Sequence, residues 1–479
     1  MRETGIIPLS EAARIPLPEE KTVLRELEAA RAGFRRKVVV LDDDPTGVQT
    51  VHDVPVYTGW ERRTIARGLR EPGGMFFILT NSRGLTAGET ERVHREIAEN
   101  LAAASQETHR PFLLLSRGDS TLRGHYPLET QVLRRELERR LGVHYDGEVI
   151  MPYFREGGRL TIGNIHYVQS GDRLIPAGLT EFARDTTFAY RASDLTEWCE
   201  ERTEGAYPAG GVITISLEEL RGLRYDRMLE KLRSVRDFNK IVVNAADDRD
   251  VEVFAAVLLR AMAEGREFLF RCAASLVRVL GGVSPRPLLR KSELCLERTG
   301  MGGLVVVGSH VQKTTDQLNE LLSAGLNLLP VCFNVETVPD PDRLAAERER
   351  VLRETERAVA GGRTAVVYTS RYVMRSSEES AQENLLLSVR ISQALTSIVK
   401  DLSVRPGFLV AKGGITSSDV GIRALGVRRA WVLGQAAPGV PVWRTGEESK
   451  FPGLSYVIFP GNIGGVSTLR EIVQTLMES

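Results

Sequence analysis

Apolar positions along the chain fall into two series, in which short aliphatic or β-branched runs alternate with longer stretches of helical spacing. Within EKTVLRELEAARAGF, Leu24, Leu27 and Ala30 repeat at helical intervals. Apolar runs then appear at residues 38–41, 76–79, 112–115, 149–151 and 241–243, with amphipathic segments such as AGETERVHREIAENLAAA and PLETQVLRRELERRL between them. Uniformly apolar strands separated by helices predict a largely parallel sheet covered on both faces. A second series follows at 304–307, 328–331, 365–368, 408–411, 430–433 and 456–459, with SSEESAQENLLLSVRISQALTSIVKDL as its longest helical pattern. The segment GGVSPRPLLRKSELCLERTGMGG, rich in glycine, proline and charge, separates the two series. The pattern predicts an α/β protein of two domains, each with a mostly parallel sheet flanked by helices. The expected boundaries are a helical extension at 1–36, a first domain at 37–299 and a second at 300–479.

Composition narrows the function. Lysine plus arginine total 63 and aspartate plus glutamate total 63, so the net charge is zero. That balance argues against a dominant nucleic-acid or anionic-membrane surface. No apolar run approaches the roughly 18 residues of a membrane span. The first residues carry acids and prolines in place of the basic-then-apolar order of a signal peptide. The expectation is a cytoplasmic protein with neither a nucleic-acid nor a membrane partner. Cys199, Cys272, Cys295 and Cys332 form no CxxC pair, and the seven histidines show no HxxxH spacing. They read as reduced core thiols and non-ligating histidines, with no metal-binding residues among them.

In the first series, three apolar runs each end in a polar cluster. KVVVLDDDPTGVQT supplies Asp42, Asp43, Asp44, Thr46 and Gly47. MFFILTNSRGLT supplies Thr80, Asn81, Ser82 and Arg83. PFLLLSRGDSTLRGHY supplies Arg117, Asp119, Ser120, Thr121, Arg123 and Gly124. Open parallel sheets bind ligands beyond the carboxyl ends of their strands, so neighbouring strands would pool these groups in one crevice. Arginines there can grip a carboxylate in bidentate fashion, and an aspartate can orient a hydroxyl and accept its proton. Pro45 disfavours a helical backbone at Asp44, as a sharp strand exit requires. The plainer readings are a solvated or capping acidic loop, an ordinary N-cap turn at RGDSTLRG, and surface polarity at Ser82 and Arg83. His125 and His166 lie near the clusters, where a lone histidine is more often a structural hydrogen-bonder.

The second series carries glycine at its strand ends. FLVAKGGITSSDVGIRALG reads as strand, Lys412-Gly413-Gly414-Ile415-Thr416-Ser417, then helix. Two glycines let the backbone approach a ligand, and a helix start favours phosphate. YVIFPGNIGG, with Gly461 and Asn462, and LVVVGSHVQKTTDQL, with Gly308 and Ser309, repeat the arrangement. Neither a Walker-type GxxxxGK[ST] nor a strand-linked GxGxxG is present, which excludes a P-loop and disfavours a Rossmann dinucleotide site.

Taken together, these motifs resemble the four-carbon acid sugar kinase family. Its DDxTG, DSR and DSTLRG motifs match residues 43–47, 81–83 and 119–124, and a stretch of arginine, glycine and histidine matches Arg159, Gly163 and His166. In its nucleotide-binding half, the glycine-serine strand end, GGxT loop, PGVP segment and GN loop match Gly308-Ser309, Gly413 to Thr416, Pro438 to Pro441, and Gly461-Asn462. This chain departs from the family where Ile415 replaces an acid, Phe459-Pro460 replaces a lysine-bearing stretch, Asn81 opens NSR, and His310-Val311 follows Ser309. Asp419 is a candidate to replace the missing acid.

The resemblance implies transfer of the γ-phosphate of ATP, with Mg2+, to the terminal hydroxyl of threonate, erythronate or a 3-oxo-tetronate. The expected site lies in a cleft between the domains. Asp44 is expected to orient the attacking hydroxyl, with Asp119 as the rival. Arg123 is expected to hold the substrate carboxylate with help from Arg83, and Asp43, Thr46, Ser82, Ser120, Gly124 and His166 to complete the acid site. Gly413, Gly414, Ile415 and Thr416 are expected to cradle phosphates, with Ser309, Gly461 and Asn462 lining the nucleotide site. The partner is a small-molecule sugar acid, and a homo-oligomer is left open. The alternatives are an NAD-dependent dehydrogenase of a hydroxy acid and a catalytically idle ligand sensor.

Overall fold

The computed structural model describes residues 5–294, 300–308, 311–370, 381–461 and 463–477, with backbone alone for 381–389 and Ile415. The chain divides into two units, Met1–Gly47 with Gly59–Ser284, and Val48–Thr58 with Pro285–Ser479.

The first unit is built on seven parallel strands. Their spatial order is Ile213–Ile215, Asn239–Val243, Gly147–Met151, Phe268–Cys272, Phe112–Arg117, Lys37–Asp42 and Met75–Leu79. All six residues of Lys37–Asp42 are buried, as a strand covered on both faces requires. Long helices between the strands start at recognisable caps. Thr86 and Glu89 form a capping box for Ala87–Thr108, and Asp247 with Asp250 forms one for Asp248–Ala263. The amphipathic helix Glu20–Arg31 packs on Asp248–Ala263, burying Val23 and Leu27.

A second, antiparallel sheet in this unit was not expected. Its order is Ile7–Pro8, Arg173–Pro176, Ile165–Ser170 and Arg159–Ile162. Ile162 pairs with Ile165 across a two-residue turn in which Gly163 and Asn164 both have positive φ, the backbone that tight hairpins demand.

The second unit has a mixed sheet, a correction to the mostly parallel expectation. Ser455–Phe459, Leu409–Lys412, Leu304–Val307, Thr364–Thr369 and Leu328–Phe333 lie parallel in that order. On the other side of Ser455–Phe459, Val440–Thr445, Arg429–Ala437 and Val54–Tyr57 follow in antiparallel array. The cause is local. Pro438 and Gly439 close a tight turn between Ala437 and Val440, and a tight turn joins only antiparallel strands. Buried side chains of Val305, Val307, Val410, Val457 and Phe459 form much of this unit's core.

No helix among the described residues is long and apolar enough to cross a membrane. Cys199 and Cys272 are buried free thiols, Cys332 is half-buried, and Cys295 lies outside the described residues.

Candidate functional site

In the first unit, Lys37–Asp42 lies between Phe112–Arg117 and Met75–Leu79. The register pairs Asp42 with both Arg117 and Leu79, so the three strands end level. The polar clusters that follow therefore meet at one edge. Arg83 is their hub. Its Nη2 and Nε donate to Asp43 Oδ1 and Oδ2 at 2.7 and 3.1 Å, and its Nη1 lies 3.3 Å from Asp44 and 3.9 Å from Asp119. Arg117 bridges Asp42 at 3.2 Å and Asp43 at 3.4 Å. Arg123 donates to Asp119 Oδ2 at 2.8 Å and lies 3.5 Å from Asp185.

These contacts set the charges. Burial works against the Asp43 carboxylate, but Arg83, Arg117 and Arg271 outweigh it and hold the carboxyl below its ordinary value. Burial likewise opposes the Asp119 charge. Arg83, Arg123 and the Thr121 hydroxyl prevail, and Asp119 is held well below the carboxylate range. Asp42 differs. Burial pushes its carboxyl up to about 7, helped by the neighbouring Asp43 and Asp44 charges and opposed by Arg117. Asp44 is the acidic group with capacity to spare. One oxygen accepts from the Thr46 amide at 2.8 Å, and among the described residues the other meets only the end of Arg83.

The backbone makes room for this cluster. A methyl group at Gly47 would overlap the Asp42 carboxylate, and one at Gly118 would overlap the Arg271 guanidinium. Gly124 has φ +117°, which glycine tolerates without strain. Arg271 donates to the Arg123 carbonyl at 2.7 Å and so ties the DSTLRG loop to the strand Phe268–Cys272. Sequence reasoning passed over Arg271. Its one signal was a basic residue within the otherwise apolar FLFRC.

Other expected residues sit behind this first layer. Ser82 is fully buried and donates to Glu129 at 2.6 Å. His166 is also fully buried. Its Nε2 donates to the Ser120 carbonyl at 2.7 Å, so Nδ1 is the acceptor for the Thr161 hydroxyl at 3.0 Å. Burial pushes this imidazole down to about 4, so it is neutral and holds the Ser120 loop by its backbone.

In the second unit, Val307, Lys412 and Phe459 end three adjacent parallel strands, and Gly308 follows the first of them. Gly413 has φ +120°, and its amide donates to the Phe459 carbonyl at 2.9 Å. A methyl group at Gly308 would overlap the Thr416 hydroxyl, so the first loop closes directly on the fourth residue of GGIT. Lys412, quoted in the sequence only as part of that loop, is fully buried. Its Nζ donates to the carbonyls of Pro460 at 2.6 Å and Gly461 at 3.2 Å. Burial, with Lys313 adding repulsion, pushes this ammonium down to about 7. Asp419 is engaged by Arg423 at 3.3 Å and by the Ser392 hydroxyl at 3.1 Å. Ser309, Asn462 and the Ile415 side chain lie outside what the structure describes.

Comparison with known families divides the chain near the same place, except that residues 48–58 of the second unit fall within the first match. The family described as a sugar-binding N-terminal domain matches residues 38–280, and the one described as a nucleotide-binding C-terminal domain matches residues 304–469. The chain belongs to the four-carbon acid sugar kinase family. Two solved structures share the fold of this four-carbon acid sugar kinase family member. The putative tRNA synthase of Salmonella typhimurium LT2 is 15% identical, with a TM-score of 0.63 over 91% of this chain and 98% of its own. A Haemophilus influenzae protein of the DUF1537 family is 17% identical, with a TM-score of 0.61 over 92% of this chain and 100% of its own. No curated protein is a detectable relative.

Proposed function

We propose that the chain is an ATP-dependent kinase that phosphorylates the terminal hydroxyl of a four-carbon acid sugar of the threonate, erythronate or 3-oxo-tetronate type. One observation carries the reading. A single chain pairs a sugar-binding domain, with an arginine–aspartate cluster at its strand ends, with a nucleotide-binding domain.

The second unit fits a polyphosphate. Lys412 brings a buried ammonium that no carboxylate among the described residues neutralises within ion-pair distance, and the bare Gly308 backbone leaves room for the Thr416 hydroxyl. Gly413, Gly414 and Thr416 would hold the phosphates, with Ser309, Gly461 and Asn462 at the nucleotide. ATP supplies the phosphoryl group and Mg2+ neutralises charge on its oxygens. Among the described residues no group of three or more histidines, cysteines, aspartates or glutamates could hold a metal, so no step is assigned to a protein-bound Mg2+.

Phosphoryl transfer needs alignment and charge neutralisation more than a strong base. Asp44 suits the orienting role, because one of its oxygens is only lightly committed. Asp119, saturated by Arg83, Arg123 and Thr121, suits a scaffold. The substrate carboxylate would lie by Arg123.

A coupled assay of ATP consumption over a panel of tetronates and 3-oxo-tetronates tests the proposal. Turnover with at least one acid is expected. Silence across the panel, in protein that binds ATP, would overturn it in favour of a ligand sensor.

A further inference from the structure

The arginines of the first unit's site are not equivalent. Arg83 meets three aspartates, Arg117 two, and Arg123 two. Arg159 meets none: no carboxylate among the described residues lies within ion-pair distance of it. It opens the small-sheet strand Arg159–Ile162, only two positions before Thr161, which bonds His166. Its Nη1 donates to the Gly157 carbonyl, and its Nε is buried with no partner among the described residues. The guanidinium lies 5.5 Å from the centre of the Phe182 ring, and that of Arg123 lies 5.1 Å from the same centre. Two cations on one aromatic ring repel each other, and a half-buried guanidinium with a buried idle N–H is costly unless a ligand supplies the anion.

We infer that Arg159, beside Arg123 and backed by Phe182, is a specificity-determining residue that grips the substrate carboxylate, and that Arg83 is a scaffold of the aspartate cluster. The inference rests on the acid-sugar reading above and sharpens it. The site selects hydroxy acids over neutral polyols of the same length, because only an acid brings the missing negative charge. Burial pulls the Arg159 guanidinium below its ordinary value, and a bound carboxylate relieves that cost. Arg83, by contrast, cannot turn to a ligand without abandoning Asp43.

The test measures acid and nucleotide binding by calorimetry, for full-length wild type and for the Arg159→Met and Arg159→Lys variants. The probes are threonate, erythronate, the polyols threitol and erythritol, and ATP. Wild type should bind at least one acid and prefer it to the polyols. Arg159→Met should weaken acid binding by roughly 10- to 100-fold, the range for a charge-assisted hydrogen bond, and leave ATP affinity unchanged. Arg159→Lys keeps the charge without the planar fork and should fall between the two. Should Arg159→Met fail to fold, Arg159→Lys decides by the same comparison. Acid affinity unchanged in a variant that binds ATP normally would overturn the inference, as would wild type that binds no acid or binds polyols equally well. If acid binding depends on Arg159 but no acid is phosphorylated, the carboxylate grip stands and the kinase reading falls. If acids are phosphorylated and Arg159→Met leaves acid binding and KM unchanged, the reverse holds.

Discussion

Lys412 and Phe459 are register partners on adjacent parallel strands, and the lysine ammonium lies 4.0 Å from the centre of the phenylalanine ring. The ammonium is held over an aromatic face, bonded to two carbonyls, and pushed down to about 7. A phosphate beside it favours the protonated form, so binding ATP above pH 7 requires proton uptake. The dissociation constant for ATP should therefore rise as pH climbs from about 7 to 9, by up to about tenfold per unit. Without nucleotide the sign is different. The folded pKa lies below the unfolded one, so the fold gains stability as pH rises from about 7 towards 10. Lys412→Met should flatten the binding profile in calorimetric titrations at several pH values. An identical profile in the variant would remove Lys412 from the nucleotide site.

Asp44 and Asp119 are separable by substitution. Asp44→Asn keeps the Thr46 amide contact and loses the charge to which the proposal gives the orienting role. It should lower turnover by roughly 100-fold or more, with ATP affinity and thermal stability near wild type. Asp119→Asn strips the nearer of two aspartate partners from Arg123 and one of three from Arg83, and should lower stability as well as activity. Steady-state kinetics with melting curves would separate the two. Unchanged turnover in Asp44→Asn would reassign the orienting role.

Arg83→Met leaves the buried Asp43 carboxylate with Arg117 as its only ion-pair partner among the described residues. Breaking such a pair typically costs about 3–5 kcal/mol, so the variant should unfold at markedly lower denaturant concentration. Stability of the wild type should also fall in acid. Asp43 and Asp119 have folded pKa values below their unfolded ones, so their contribution is full above about pH 4, the unfolded value, and is lost as pH drops through the folded values. Denaturant melts from pH 6 to pH 3 would show it, and a flat stability over that range would contradict it.

Gly47→Ala places a methyl group on the Asp42 carboxylate. Overpacking of this kind costs about 1–3 kcal/mol, and it would displace the acid that Arg117 holds. Lower stability with reduced acid-dependent activity is the expected result. A variant as stable and active as wild type would mean that the DDDPTG turn relaxes without penalty.

Much of this was legible in the chain, and the parts that were not share a cause. The strands at 38–41, 76–79 and 112–115 stood out because fully covered parallel strands are uniformly apolar, and each ended in the polar residues that the fold brings together. The glycine-rich ends of the second unit were equally visible. Which arginine is spent on which aspartate was not, because Asp43–Arg83 and Asp119–Arg123 are settled by side-chain geometry across loops. The raised carboxyl of Asp42 depends on burial that three consecutive acids do not advertise. The short strands of the small sheet carry too few residues for their alternation to register. The antiparallel half of the second unit was missed because a hairpin through Pro438 and Gly439 looks, in apolar content alone, like two more strands of a parallel array.

The small sheet reaches further than its size implies. Ile7–Pro8 is laced to Arg173–Pro176, that strand to Ile165–Ser170, and from there His166 takes hold of the Ser120 carbonyl. Arg221 fastens the carbonyls of Ala12 and Ile15 from the other side. Trimming the leading dozen residues would thus unpick, one seam at a time, the backing of the Ser120 loop, and with that loop assigned to the acid as proposed, a shortened chain should bind nucleotide as before while losing affinity for the acid.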